Sequence, residues 1–197
     1  MVDYSEDADF SRQKKPKKYL SWDEQQQQRR KRNSQRTDEQ WRAFARDVVY
    51  RQLGIAERSE YQLLQTLQQR DVPTEIARET LAKFISAGLV DDSRFAQMYV
   101  RSVFHAKSIS VRNLKLELKK RGISDEIIEK ALQQIDADCE LQSAIDYAAR
   151  KIQRMQGMEQ EVIRRRLYGQ LARRGFAPGQ VRKALNTAFA EIAPDRD

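Results

Sequence analysis

Three stretches of this chain lie over one another with their leucines in step, and that register limits the possible folds more than any other feature. The first is Leu63-Leu64-Gln65-Thr66-Leu67-Gln68-Gln69-Arg70-Asp71-Val72. The second is Leu114-Lys115-Leu116-Glu117-Leu118-Lys119-Lys120-Arg121-Gly122-Ile123. The third is Leu167-Tyr168-Gly169-Gln170-Leu171-Ala172-Arg173-Arg174-Gly175-Phe176. Each continues into a second run ending at Leu81, Leu132 or Leu185, fourteen residues beyond Leu67, Leu118 or Leu171. The copies are offset by 51 and 53 residues. Unrelated amphipathic helices would not hold that register, so the chain reads as a repeat protein.

Within each copy the pattern has a direct physical meaning. The leucine pairs Leu63/Leu67, Leu114/Leu118 and Leu167/Leu171 stand at i, i+4 and bury one face of a helix. Arg70, Arg121 and Arg174 follow in the last turn, where the helix dipole favours a cation. Gly122 and Gly175 come next, at the left-handed C-cap position. Copy one has Asp71 there instead, a residue type that also visits the left-handed region. Val72, Ile123 and Phe176 pack back, and new helices start at Thr74, Ser124 and Pro178. Ser59 and Ser110 suit the caps of the first helices in copies one and two. The third copy lacks that serine, and its helix is predicted to begin near Glu159. Further helical runs precede each pair, at 41–53, 93–106 and about 137–155.

The fold class is therefore all-α, with three tandem three-helix repeats over 39–90, 91–136 and 137–192. Units of this size bury little surface alone, so neighbours are expected to stack. From Trp41 onward, Phe44, Ala45, Val48, Val49 and Leu53 recur at helical steps. Residues 1–38 read differently, as a basic, disordered tail. The run Arg12 to Lys18, four glutamines and Arg29-Arg30-Lys31-Arg32 offer few apolar groups to offset ordering entropy. A nonspecific nucleic-acid role for this tail is the alternative to a solubilising one.

Seven Gly and four Pro argue against a turn-dense β fold. No apolar run is long enough to span a bilayer. The acidic, polar start lacks a secretory core. Cys139 has no partner for an internal disulfide and is read as a packed structural thiol. The expected location is the cytoplasm, and the expected state a monomer.

Net charge is +8, and its distribution is uneven. Residues 12–36 alone carry +8, residues 42–92 balance seven basic against eight acidic groups, and residues 150–183 carry ten basic groups against Glu159 and Glu161. Such an excess marks a polyanion or an acidic partner. The candidate contact face comprises Lys115, Lys119, Lys120 and Arg121 of copy two and Arg164, Arg165, Arg166, Arg173 and Arg174 of copy three. Arg182 and Lys183 extend it. The competing reading is a solvated helix face, with Arg121 and Arg174 serving their helix ends.

No catalytic constellation stands out. Asp91-Asp92 precedes the helically spaced Phe95, Ala96, Tyr99, Val100 and Val103, which suits capping better than metal or acid–base work. His105 is the one histidine, and no second ligand or nucleophile accompanies it. There is no nucleotide loop, dinucleotide fingerprint or zinc spacing. No cofactor is expected. Tyr50, Tyr61, Tyr99 and Phe104 are read as core rather than as platforms for stacking bases.

The stretch Gly88-Leu89-Val90-Asp91-Asp92-Ser93-Arg94-Phe95-Ala96-Gln97-Met98-Tyr99-Val100-Arg101 closely resembles the signature of the RecX family, bacterial regulators of the RecA recombinase. Leu118 to Ile123 and Ala172 to Phe176 resemble that family's second and third repeats, and the likeness covers about 41–190. The resemblance implies an elongated, curved array that binds RecA and lies along the groove of its filament on single-stranded DNA. It further implies blocked filament extension or promoted disassembly, with ATP hydrolysis, strand exchange and RecA-assisted cleavage of the SOS repressor all reduced. A helical nucleic-acid-binding protein acting independently of RecA is the alternative that charge alone suggests.

Overall fold

The computed structural model describes residues 21–155 and 157–192, without the side chains of Arg29, Arg30, His105 and Ile192. The expectations for His105 and for the Lys-rich run before residue 21 therefore lie outside the described residues. Those residues form ten helices: α1 (Trp22–Ser34), α2 (Asp38–Ile55), α3 (Glu60–Gln68), α4 (Thr74–Ser86), α5 (Asp92–Lys107), α6 (Val111–Lys119), α7 (Asp125–Leu132), α8 (Ala137–Gln153), α9 (Gln160–Arg173) and α10 (Pro178–Ile192). No strand occurs among them.

The chain divides into two units between Thr37 and Asp38. In the first, part of the segment read as a tail is helical. Ser21 and Glu24 form a reciprocal capping box at the start of α1, acids occupy its first turn and Lys31 and Arg32 its last. Local capping and dipole matching favour this helix. Its Trp22 stays exposed.

The second unit holds the three repeats, α2–α4, α5–α7 and α8–α10. In each, the long first helix packs against the third, and the middle helix packs against both. The repeat leucines Leu63, Leu67, Leu114, Leu118, Leu167 and Leu171 are at most 1% exposed. Each repeat has its own apolar cluster, around Trp41, Val49 and Phe84 in the first, Phe95, Val100 and Ile128 in the second, and Ile145, Ile163 and Val181 in the third. The units thus stack without merging their cores.

All three middle helices end the same way. Val72, Ile123 and Phe176 donate their N–H to the carbonyls of Leu67, Leu118 and Leu171, at 3.1, 3.2 and 3.3 Å. This six-to-one bond needs a left-handed residue just before it. Asp71, Gly122 and Gly175 occupy that place with φ of 61°, 77° and 90°. Two tyrosines depart from the core expectation: Tyr50 and Tyr61 are exposed, whereas Phe104 is buried. Tyr50 still sets its ring edge-on to Phe84, 4.8 Å between centroids.

Neighbouring repeats meet through backbone. Ser59, which caps α3, donates its hydroxyl to the Arg121 carbonyl at the end of α6, at 2.7 Å. Ser110, which caps α6, donates its N–H to the Arg174 carbonyl at the end of α9, at 3.1 Å. Both serines are wholly buried. The approach is close enough that a methyl group on Gly122 would lie 2.3 Å from Tyr61, and one on Gly175 2.4 Å from the Ser110 hydroxyl. The glycines of copies two and three therefore answer to two demands, left-handed backbone and seam clearance. Asp71 is exposed and meets the first with φ of 61°. At the start of α9, Glu159 makes no side-chain cap. Both departures from the repeat fall away from the two serine seams described above.

Gly175→Ala should therefore cost more than the roughly 1–3 kcal/mol of left-handed strain alone, while Asp71→Gly should stay within about 1 kcal/mol of the parent. Urea unfolding followed by circular dichroism measures both; equal losses would remove the double role of the seam glycine.

Candidate macromolecular interface

The family-like stretch 88–101 forms the seam between repeats one and two. Asp91 caps α5 by accepting from the Ser93 and Arg94 N–H groups at 2.8 and 3.0 Å. Asp92 instead reaches across and accepts from the Glu60 N–H of α3 at 2.9 Å. Burial pushes its carboxyl above the usual range. Arg94 bonds Glu57 at 3.1 Å and the carbonyls of Gly88 and Leu89. The second seam repeats the device, with Glu140 of α8 accepting from the Val111 N–H of α6 at 2.8 Å. The acidic pair is thus structural, and among the described residues no group of three or more His, Cys, Asp or Glu could hold a metal. Cys139 is exposed rather than packed, because it stands in the first turn of α8; Asp136 beside it pushes its thiol up.

The predicted basic residues fall into three kinds of surroundings. In copy two, Lys119 pairs with Asp125 at 2.8 Å and Lys115 with Glu129 at 3.5 Å. Arg121 bonds the Glu117 carboxylate at 2.7 Å and lies 4.3 Å from the Tyr99 ring centroid. That bond, the larger influence, holds the Glu117 carboxyl below its ordinary range. In copy three, Arg164 bonds Asn186 at 2.7 Å and lies over Phe189, while Arg166 touches the Met158 sulfur. Lys120, Arg165, Arg173, Arg182 and Lys183 are exposed; the charge of Lys120 acts on Glu117, and the other four have no side-chain partner among the described residues. Arg174 belongs to the seam: its guanidinium bonds the Lys107 carbonyl and lies 4.2 Å from the Tyr147 ring centroid. The sequence count of unpaired charge was therefore too generous in copy two, where acids on α7 answer the lysines of α6 across the turn.

A cationic cleft of about 280 Å³ opens at the seam of repeats two and three. Lys107, Arg150, Lys151, Arg154 and Arg174 line it with Ser108 and Tyr147. Of these only Arg174 stood out in the sequence. The signal for the others was present, since Tyr147, Arg150, Lys151 and Arg154 follow the i, i+3, i+4, i+7 spacing of one helix face.

Comparison with known proteins settles the family. Models described as the first, second and third three-helix domains of RecX match residues 45–84, 91–132 and 138–185. This chain belongs to the RecX family. The regulatory protein RecX of Streptomyces coelicolor is 34% identical over 153 residues, covering 78% of this chain and 81% of that protein. The protein of the same description from Mycolicibacterium smegmatis is 32% identical over 157 residues, covering 78% and 82%. The crystal structure of RecX from Lactobacillus salivarius superposes with a TM-score of 0.64 at 19% identity, covering 76% of this chain and 97% of that one, and so shares the fold. The relatives are named as regulators, not as enzymes. No described helix is long and apolar enough to cross a membrane.

Because Arg121 lowers the folded-state pKa of Glu117, the bond's stabilisation is present above the unfolded carboxylate pKa and is lost as pH falls through the lower folded value. Glu117→Gln should destabilise by about 1 kcal/mol near pH 7 and by progressively less below about pH 4. Urea unfolding of both proteins across that range measures the difference; a penalty independent of pH would remove the ion pair as its source.

Proposed function

We propose that this chain is a non-enzymatic regulator of the RecA recombinase, binding RecA and its filament on single-stranded DNA. Bound there, it inhibits filament extension and lowers RecA ATP hydrolysis, strand exchange and RecA-assisted cleavage of the SOS repressor. The observation that carries the reading is the match of all three repeats to RecX domains, in order and over most of the array. The fold supports it: three units joined by backbone seams present a long helical surface, and no nucleotide loop occurs in the sequence, so any effect on ATP turnover acts through the partner. Cytoplasmic location and a monomeric state belong to the same reading.

The basic residues supply the contact. Arg165, Arg173, Arg182 and Lys183 carry it most directly, because no carboxylate answers their charges among the described residues; Lys120 joins them although Glu117 feels its charge. Lys115, Lys119 and Arg121 remain in the proposed face with weaker claims. Exposed pairs of that kind contribute only about 0–1 kcal/mol and exchange partners easily.

The test is a titration of the chain into RecA on single-stranded DNA, reading ATP hydrolysis. Inhibition is expected at sub-stoichiometric to near-equal ratios, and also from a protein starting at residue 39. Reversing the charges of Arg165, Arg173, Arg182 and Lys183 should abolish it. Unchanged ATPase, strand exchange and repressor cleavage with the parent protein would overturn the reading and leave nucleic-acid binding without RecA as the alternative.

A further inference from the structure

The two seams are built alike but charged differently. In the first, Arg121 lies on Tyr99; in the second, Arg174 lies on Tyr147, at nearly the same distance. In the first, the Tyr99 hydroxyl donates to Glu117 at 3.1 Å, and Glu117 also takes Arg121. At the matching place in the second stands Gln170, which accepts from the Tyr147 hydroxyl at 2.6 Å and brings no charge. Arg174 thus keeps the charge that Arg121 has neutralised.

The surrounding positions widen the difference. With Tyr99 set on Tyr147 and Ser59 on Ser110, the places of Arg150, Lys151 and Arg154 are held in the first seam by Ser102, Val103 and Ala106. Those of Lys107 and Ser108 are held by Ala56 and Glu57, and Glu57 pairs with Arg94. Five cations line the second seam's cleft, and none forms an ion pair with a carboxylate among the described residues.

Helix ends account for part of this charge. Ser108, Arg154 and Arg174 are the C-caps of α5, α8 and α9, so three negative dipole ends meet at the cleft. Each is worth roughly half a charge, and together they offset fewer than two of the five cations. Arg174 is spent on the Lys107 carbonyl, and Arg150 donates to the Ser108 hydroxyl at 3.1 Å. Lys107 and Arg154 have no side-chain partner among the described residues, and Lys151 has only the Tyr147 ring, 5.7 Å away.

We propose that the cleft between repeats two and three is a phosphate-binding seat for the backbone of single-stranded nucleic acid. A strand supplies one charge per phosphate along its length, which matches clustered, unpaired arginine and lysine better than a single carboxylate does. Tyr147 is buried beneath Arg174 and Lys151, so the seat reads backbone and not bases. The proposal rests on the reading that this chain works on single-stranded DNA, and it names where a strand is held.

The experiment measures binding of a fluorescent oligothymidylate to the full chain by anisotropy over a salt series, alongside RecA ATPase inhibition. Lys151→Ala with Arg154→Ala should weaken binding about tenfold and flatten the salt slope by about 1.4, at about 0.7 per lost phosphate contact. Gln170→Glu, which installs the carboxylate of the first seam, should weaken binding several-fold on the scale of one charged contact, with the melting curve unchanged. Arg78→Ala with Lys83→Ala removes equal charge from α4 and should leave binding within about twofold. Equal binding and equal slope in parent and cleft variants would overturn the seat, as would no oligonucleotide binding by the parent at low salt. Cleft variants that lose RecA inhibition but bind DNA normally would overturn it in favour of an acidic protein surface. A parent that binds DNA through the cleft yet leaves RecA unaffected would uphold the seat and sink the wider functional reading.

Discussion

The contact on which the rest of the array depends is the docking of one helix C-terminus onto the capped N-terminus of a helix in the preceding repeat. Ser59 and Ser110 each face two ways, capping their own helix and meeting the carbonyl of Arg121 or Arg174. A buried, unpaired backbone group costs roughly 1–3 kcal/mol, so these bonds fix how each unit sits on the next. The apolar cores do not cross the seams. Orientation between units is therefore set by directional bonds with strict geometry rather than by a continuous core that tolerates sliding.

That constraint explains which parts of the repeat are kept and which vary. Leu67, Leu118 and Leu171 recur because every unit needs its own core. Glycine is present in copies two and three, whose C-caps press on Tyr61 and Ser110, and is absent from copy one. Serine is present in copies one and two and absent at Glu159. Asp92 and Glu140 belong to the same device, since each satisfies the first N–H of the helix beside the docked serine. The family-like stretch from Gly88 to Arg101 is thus rich in seam residues, and its resemblance reports architecture before function.

Much of this was legible in the sequence, because it is local. The leucine spacing, the left-handed caps, the serine caps and the helix starts are properties of a few neighbouring residues, and they fell where the pattern placed them. The seams were not legible. Asp71 and Glu159 looked like tolerated irregularities, because their meaning depends on a residue 50 or more positions away. The same holds for charge. Counting along the chain put Lys115, Lys119 and Arg121 on an open basic face, yet Asp125, Glu129 and Glu117 answer them in three dimensions. It also passed over Lys107 and left Arg154, counted in the basic 150–183 stretch, off the contact face, because their shared neighbourhood forms only at the seam of repeats two and three. Helix α1 was hidden for a different reason: it has no apolar face, and its capping box is its main signal.

Architecture repeats in this protein and electrostatics do not, and the exchange of Glu117 for Gln170 within one conserved geometry states that contrast in a single position. The most direct measurement is photocross-linking of an oligothymidylate whose phosphorothioate backbone carries azidophenacyl groups to the full chain, with mass-spectrometric mapping of the attached residues. The account expects attachment concentrated between Lys107 and Ser108, along Tyr147 to Arg154 and at Arg174, with little at Tyr99, Ser102 and Arg121. Attachment shared equally between the two seams, or centred on the first, would contradict it.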